Sequence, residues 1–191
     1  LTGDAAVTVE AGSTYTDGGA TAVDTLEGDL SDALQVVSMV KANKPGSYTV
    51  SFDVDDAAGN SATTVNRTVT VVDTTVPSLV LTGDATVTHE AASAYTDSGV
   101  TATDIVDGTL TSSITVTNGV DASKVGTYKV TYSVTDAADN QGTLERIVNV
   151  VDTTAPSLAL IGDATVTHEA GSVYTDSGAT ATDIVDGTLT S

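Results

Sequence analysis

Cysteine and tryptophan are absent from this chain of 191 residues, and methionine and phenylalanine occur once each. Without cysteine, the chain can form neither a disulfide framework nor a cysteine-ligated zinc site. No apolar run approaches the ~20 residues that a membrane-spanning helix needs. These absences exclude a disulfide-stapled scaffold, and we expect no direct insertion into a membrane.

Basic residues are also scarce, with six lysines and arginines against 26 aspartates and glutamates and a formal net charge of -20. This balance argues against nucleic acid as a partner, because affinity for phosphates comes from lysine and arginine. It argues equally against an anionic membrane surface. An excess of carboxylates suits Ca²⁺, which takes oxygen ligands. The alternative is a soluble surface whose charges repel one another.

An internal repeat is the main feature of what is present. The segment from Gly83 to Ser112 returns from Gly162 to Ser191 with three changes, and a more diverged copy begins at Gly3. A period of about 80 residues corresponds to a whole small domain rather than a solenoid unit.

The repeat predicts three domains, at residues 1–73, 74–152 and 153–191. The first lacks its lead-in strand and the third contains only its N-terminal half, so we expect a window from a longer array. We also expect that the third copy cannot bury a core alone.

Alternating apolar residues predict the strands. The clearest run has Tyr128, Val130, Tyr132 and Val134 separated by polar residues, and Tyr48, Val50, Phe52 and Val54 match it in the first repeat. Alternation with period two indicates a strand with one buried face. About seven such strands per repeat predict an all-β fold of tandem immunoglobulin-like antiparallel β-sandwiches.

A specific frame runs through the repeats: DTTxPxLxLxGDATVTxEAGSxYTDxGATATDxxDGTLT, followed by GTYxVTYxVTDAAxN. It resembles tandem bacterial immunoglobulin-like domains of surface adhesins, of secreted hydrolases and of a pesticidal crystal protein, and it is similar in style to hyalin repeats. The resemblance covers essentially the whole chain and implies an extracellular location at the bacterial cell surface. The first repeat departs from the frame at Glu27-Gly28-Asp29, where the second has Asp107-Gly108-Thr109.

Strand directions predict that acidic residues gather where one repeat meets the next. The predicted metal ligands are Glu10, Asp73, Asp104, Asp107 and Asp136 at the first junction, with Asp17 and Asp139 beside them, and Glu90, Asp152, Asp183 and Asp186 at the second. Converging carboxylates repel one another unless a cation intervenes. The pattern is similar to the cadherin scheme and predicts interdomain calcium. The alternative is that these residues only form turns, which aspartate favours.

No group of residues supports catalysis. The chain has no G-x-S-x-G elbow, and its two histidines stand at equivalent positions of two repeats, which builds no triad. We therefore predict a protein that is not an enzyme.

The leading hypothesis is a structural spacer in a bacterial extracellular adhesin, surface stalk or filament. Its expected partners are other repeats of the same protein or neighbouring copies in a fibre. The alternative is a carbohydrate-binding accessory module of a secreted hydrolase, for which a polysaccharide or another cell-surface ligand is the partner. Carbohydrate-binding sites usually contain exposed aromatic residues. Here most of the tyrosines lie on the alternating face that is predicted to be buried, which favours the spacer.

Overall fold

The computed structural model describes residues 1–189, which form strands joined by short loops and two single-turn 3-10 helices, Ser31–Ala33 and Thr111–Ser113. The strands within these residues are β1 (Ala6–Glu10), β2 (Val23–Asp24), β3 (Gly28–Asp29), β4 (Gln35–Ser38), β5 (Gly46–Asp53), β6 (Val65–Val72), β7 (Ser78–Leu81), β8 (Thr86–Glu90), β9 (Val100–Asp104), β10 (Gly108–Thr109), β11 (Thr115–Asn118), β12 (Gly126–Thr135), β13 (Gln141–Val151), β14 (Ser157–Leu160), β15 (Ala179–Asp183) and β16 (Gly187–Thr188). None of the described residues belongs to a helix that is long and apolar enough to cross a membrane.

The chain divides into two compact units. The first contains Leu1–Leu79, Ala102–Ile114 and Val134–Gly142, and the second contains Val80–Thr101, Thr115–Ser133 and the chain from Thr143 onward. The first unit therefore combines the first repeat with loops that belong to the second repeat in sequence. The division into three domains by sequence repeat stays a prediction.

The main sheet of the first unit has the strand order β1-β6-β5-β4. Strands β4, β5 and β6 pair antiparallel, whereas β1 pairs with β6 in parallel. Val50, Phe52 and Val69 are buried on one face of this sheet. The predicted alternation is confirmed at Val50, Phe52 and Val54, which are buried while the residues between them are at least partly exposed. Tyr48, the fourth residue of that prediction, is half-buried.

The second unit holds most of a sheet with the order β11-β12-β13-β8. Val148 and Val150 are buried in it. The second predicted alternation is confirmed at Val130, Tyr132 and Val134, which are buried, whereas Tyr128 is half-buried. Strands β11 and β12 pair antiparallel, and β8 pairs with β13 in parallel over five residue pairs, with Thr88 opposite Asn149.

The prediction of purely antiparallel sandwiches is wrong at these two pairings, β1 with β6 and β8 with β13. Antiparallel strands can follow each other through a hairpin, but parallel strands need a long crossover connection. Here nearly the whole repeat provides it, because Thr86 lies opposite Ile147. Strands β1 and β8 run in the same direction as the last strand of their repeat, so each can pair with it only in parallel.

The third copy forms a small sheet in the second unit, with the order β14-β15-β16 and Leu158 opposite Ala181. None of its described residues is buried. The sequence TVTHE is strand β8 in the second repeat, but the identical residues 165–169 form no strand. The described chain contains no counterpart of β13 for residues 165–169 to pair with, so tertiary pairing decides the conformation of this sequence.

Candidate functional site

Each complete repeat is fastened by a buried arginine on its last strand. Arg146 is 1% exposed, and its Nη1 donates to Oδ2 of Asp97 over 2.7 Å. Its Nη2 donates to the backbone carbonyl oxygens of Thr82, at 2.6 Å, and Gly99, at 3.2 Å. The guanidinium therefore ties strand β13 to the two segments that flank strand β8.

The first repeat has the same arrangement. Arg67 is 2% exposed, and its Nη1 donates to Oδ1 of Asp17 over 2.5 Å. Its Nη2 donates to the carbonyl oxygen of Thr2 over 2.5 Å and its Nε to that of Asp4 over 2.9 Å. The structure therefore places Asp17 in an ion pair with arginine and not beside the junction aspartates, because the guanidinium is within its reach.

Tyrosine hydroxyls complete the environment of Asp97. The hydroxyl of Tyr132 donates to Oδ1, that of Tyr95 donates to Oδ2 over 2.9 Å, and the amide of Gly99 donates over 2.7 Å. Burial raises the pKa of Asp97, but these hydrogen bonds and the charge of Arg146 outweigh burial, so the pKa lies below its ordinary value. Asp97 is thus held as an anion.

The glutamates predicted as metal ligands hold the segments that follow the last strands. Glu10 accepts hydrogen bonds from the amide and hydroxyl of Thr74, at 2.7 and 2.8 Å, and from the hydroxyl of Thr75, at 2.9 Å. Glu90 binds Thr153 and Thr154 in the same way. The hydrogen bonds, led by those from the threonine amides, lower the pKa of both glutamates. The structure does not bring either glutamate into a carboxylate cluster.

Three of the predicted aspartates of the first junction do come together. Asp73 follows strand β6, Asp104 ends strand β9 and Asp136 follows strand β12, and one carboxylate oxygen of each lies within 4.8 Å of the others. Asp73 and Asp136 are buried, at 9% and 6% exposure. The Oδ1 atom of Asp104 accepts hydrogen bonds from the amides of two loop residues, Val106 and Asp107, whereas its Oδ2 is buried without a hydrogen-bond partner among the described residues.

The electrostatics of the cluster differ from one carboxylate to the next. Burial, and then the charges of Asp104 and Asp136, raise the pKa of Asp73, and the amide of Thr75 offsets this only in part. Burial also raises the pKa of Asp136, but hydrogen bonds from the side chain and amide of Asn140 bring it below its ordinary value. Asp136 is therefore stabilised as an anion by the loop, while Asp73 is destabilised as an anion by its neighbours.

Other acids and two bases lie at the margin of this cluster. The Oδ2 atom of Asp107 accepts a hydrogen bond from the amide of Ala137 over 2.8 Å. Asp139 lies in a turn and has a φ of 67°. Lys41 and Lys44 line a recess shared with Asp73, which the sequence did not predict. Among the described residues neither lysine forms an ion pair, since the three pairs found there are Arg67–Asp17, Lys129–Glu145 and Arg146–Asp97.

The predicted aspartates of the second junction also converge. Asp152, Asp183 and Asp186 offer carboxylate oxygens within 4.8 Å of one another. The first two are half-buried and Asp186 is exposed. In sequence they correspond to Asp73, Asp104 and Asp107, so the second cluster uses the counterpart of Asp107 in place of that of Asp136.

A family model for the Ig-like domain of bacterial surface proteins matches residues 1–71 and again residues 79–150. The chain belongs to this bacterial surface Ig-like family. The two matches stand in tandem and cover the two segments that carry the arginine ion pairs. The resemblance drawn from the sequence frame is thereby confirmed, as is the immunoglobulin-like β-fold.

Three solved bacterial structures are similar to parts of this chain at low identity. The lipoprotein BT2262 from Bacteroides thetaiotaomicron is 20% identical, with a TM-score of 0.37 over 55% of this chain and 54% of that chain. A ZmpB structure from Clostridium perfringens that contains the M60 catalytic domain with the CBM51-1 and CBM51-2 domains is 14% identical, with a TM-score of 0.46 over 83% of this chain and 32% of that chain. A second ZmpB structure, of CBM51-2 in complex with GlcNAc and of INT domains, is 24% identical, with a TM-score of 0.34 over 46% of this chain and 21% of that chain. The comparison with curated proteins finds no match.

Proposed function

We propose that this chain is a force-bearing spacer segment of a bacterial extracellular protein, of the kind that forms an adhesin, a surface stalk or a filament. Tandem domains of a bacterial surface family support the location. The observation that carries the mechanical role is the parallel pairing of an early strand with the last strand of each repeat, β1 with β6 and β8 with β13. In the second repeat strand β7 precedes β8 and lies next to β9 in another sheet.

Parallel pairing matters because of where force enters and leaves a repeat. Tension on the main chain pulls β1, or β8 once the force has passed through the preceding strand β7, toward its N-terminus, and it pulls the last strand of the repeat toward its C-terminus. In a parallel pair these directions are opposite and lie along the strands. The ladder is therefore loaded in shear, and the hydrogen bonds of its five residue pairs must fail together rather than one at a time.

The buried arginines reinforce the same ladder. Arg67 binds the carbonyl oxygens of Thr2 and Asp4, just before strand β1 begins. Arg146 binds the carbonyl oxygen of Thr82, just before strand β8 begins. Tension that reaches β1 or β8 must therefore also break a charge-assisted hydrogen bond inside the domain, which is about twice as strong as a neutral one.

Single-molecule pulling on the whole chain from its two ends tests this proposal. We expect two cooperative unfolding events, one for each complete repeat, each releasing about 240 Å of chain at roughly 3.4 Å per residue. His89→Pro should lower the force of one event. The amide of Ala91 donates to the carbonyl oxygen of Val151 on β13. Because alternate amides of a strand point the same way, the amide of His89 also points toward β13, and proline removes that donor.

The third copy provides a matched control. His168 occupies the same TVTHE sequence, and its ring lies 5.3 Å from that of Tyr174, just as the ring of His89 lies 5.3 Å from that of Tyr95. His168→Pro thus removes similar side-chain contacts without breaking a ladder. The proposal fails if both variants leave the two unfolding forces of the unaltered chain unchanged, or if both lower them equally.

A further inference from the structure

The cluster formed by Asp73, Asp104 and Asp136 brings together negative charges that the described residues do not neutralise. Three carboxylates lie together, and no ion pair to any of them is found among the described residues. One oxygen, Oδ2 of Asp104, is buried and accepts no hydrogen bond from the described chain. A buried anionic oxygen without a donor is costly, because burial removes the water that would otherwise solvate it.

We propose that Asp73, Asp104 and Asp136 bind one Ca²⁺ ion. The spacing fits, since two oxygens on opposite sides of an ion at ~2.4 Å lie ~4.8 Å apart, and the three carboxylate oxygens fall within 4.8 Å of one another. The donor set is all oxygen with no imidazole or thiolate, which favours a hard cation over zinc or copper. Ca²⁺ fits better than Mg²⁺, which demands a near-octahedral shell at shorter distances and releases water reluctantly.

The three ligands come from three separate segments of the first unit. Asp73 belongs to the segment that leaves strand β6, while Asp104 and Asp136 belong to the loops after β9 and β12. Glu10 already holds the next residue, Thr74, by its amide and hydroxyl. A bound ion therefore fastens both loops to a segment that strand β1 also holds. Calcium binding can be tested independently of the mechanical role proposed above, because it is measured without applying force.

The carboxylates of Asp152, Asp183 and Asp186 offer the same spacing. They are half-buried or exposed, and none of their oxygens is among the buried atoms that lack a hydrogen-bond partner in the described residues. The proposal is therefore confined to the cluster at Asp104.

The first repeat supplies a matched control within the same chain. Asp24 corresponds to Asp104, and its Oδ1 likewise accepts two loop amides, from Leu26 at 2.7 Å and Glu27 at 3.0 Å. No cluster of three metal-ligating side chains includes Asp24 in the described residues. Asp24→Asn thus removes one charge from an equivalent loop without touching the proposed site.

Calorimetric titration of the whole chain with CaCl2, after treatment with a chelator, is the test. We expect binding with a dissociation constant of ~10⁻⁴–10⁻³ M, the range of extracellular modules. Asp104→Asn should weaken this binding at least tenfold, whereas Asp24→Asn should leave it unchanged. Asp73→Asn, whose amide oxygen can still accept the 3.3 Å hydrogen bond from the amide of Thr75, should repeat the effect of Asp104→Asn.

Thermal unfolding gives a readout that a purely structural aspartate would not produce. In about 10 mM CaCl2 the melting temperature of the unaltered chain should rise by on the order of 10 °C relative to NaCl of equal ionic strength. Asp104→Asn should melt at or above the unaltered chain in chelator, because it relieves repulsion, but below it in CaCl2. No heat of binding, equal loss in Asp24→Asn and Asp104→Asn, or the same ranking in chelator and CaCl2 would overturn the proposal.

Discussion

The ion pair between Arg146 and Asp97 allows the sharpest prediction about stability. In Asp97→Ala, the guanidinium of Arg146, which is 1% exposed, keeps two carbonyl partners and loses its counter-ion. The hydroxyls of Tyr95 and Tyr132 lose their acceptor as well. Removing one partner of a buried pair typically costs 3–5 kcal/mol.

The lower end of that range applies here, because the Asp97 side chain is 16% exposed and water reaches it in part. We therefore expect a loss of about 3 kcal/mol, against a typical domain stability of roughly 5–15 kcal/mol. This corresponds to a fall of on the order of 15 °C in the melting temperature of the second repeat. Urea unfolding of the whole chain, followed by tyrosine fluorescence and circular dichroism, measures it, and the first repeat serves as the internal reference.

Glu145→Ala is the matched control, because its partner is also a base on a strand. The Lys129–Glu145 pair is 58% and 45% exposed, and such surface pairs contribute about 0–1 kcal/mol. Adding Arg146→Met to Asp97→Ala should recover part of the loss, since the uncompensated charge is then gone. If Asp97→Ala costs no more than Glu145→Ala, the buried pair does not hold the repeat together.

Three further predictions follow from single positions. Hydrogen bonds outweigh burial and lower the pKa of Asp17 and Asp97 in the folded chain. The stability that these aspartates contribute is therefore full above about pH 4 and is lost as pH falls through the folded pKa values. Urea midpoints should fall more steeply below pH ~4 in the unaltered chain than in Asp97→Ala, and parallel curves would contradict this. Ala92 has a φ of 57° where the other two copies have glycine, so Ala92→Gly should raise the free energy of unfolding by up to about 1 kcal/mol, and a lower value would refute the strain. Gly142→Ala should cost about 1–3 kcal/mol, because its Cβ would lie 2.4 Å from the carbonyl oxygen of Pro77; an unchanged midpoint would show that the chain at Pro77 moves freely.

The alternation of residues such as Tyr132 predicted the buried faces correctly, because a strand's two faces follow from period two alone. The same pattern contains no information about which strand lies beside which. The parallel partner of β8 lies about 60 residues away, and its identity follows from the course of the whole repeat. The antiparallel prediction failed at that point for this reason.

For the acidic residues too, the sequence predicted where the side chains lie but not which groups they bind. Strand direction placed Asp73, Asp104 and Asp136 at one end, and the structure brings them together. The partners of Glu10 and Asp17 depended on which donor lies within reach of each side chain, threonine for one and arginine for the other. Strand direction cannot specify that choice.

The buried arginines were missed although the sequence contains a signal for them. Arg67 stands in phase with Val69 and Val71, and Arg146 with Val148 and Val150, on the inward face of the last strand. A charged residue in phase with core residues, at the same place in both repeats, indicates a buried ion pair. Its carboxylate partner is then the aspartate that also recurs in every copy, 50 or 49 residues earlier in the chain.

The contrast between strand β8 and the identical residues 165–169 bears on how such an array is made. During synthesis from the N-terminus, strand β8 has no partner for its parallel ladder until strand β13 follows, about 60 residues later. Throughout that interval its apolar face is open to water and to neighbouring chains, as the exposed Leu158 and Val173 illustrate. Each repeat then closes as a unit before the next one begins. During synthesis only the newest repeat then lacks its last strand, which confines the risk of mispairing between nearly identical repeats to that segment.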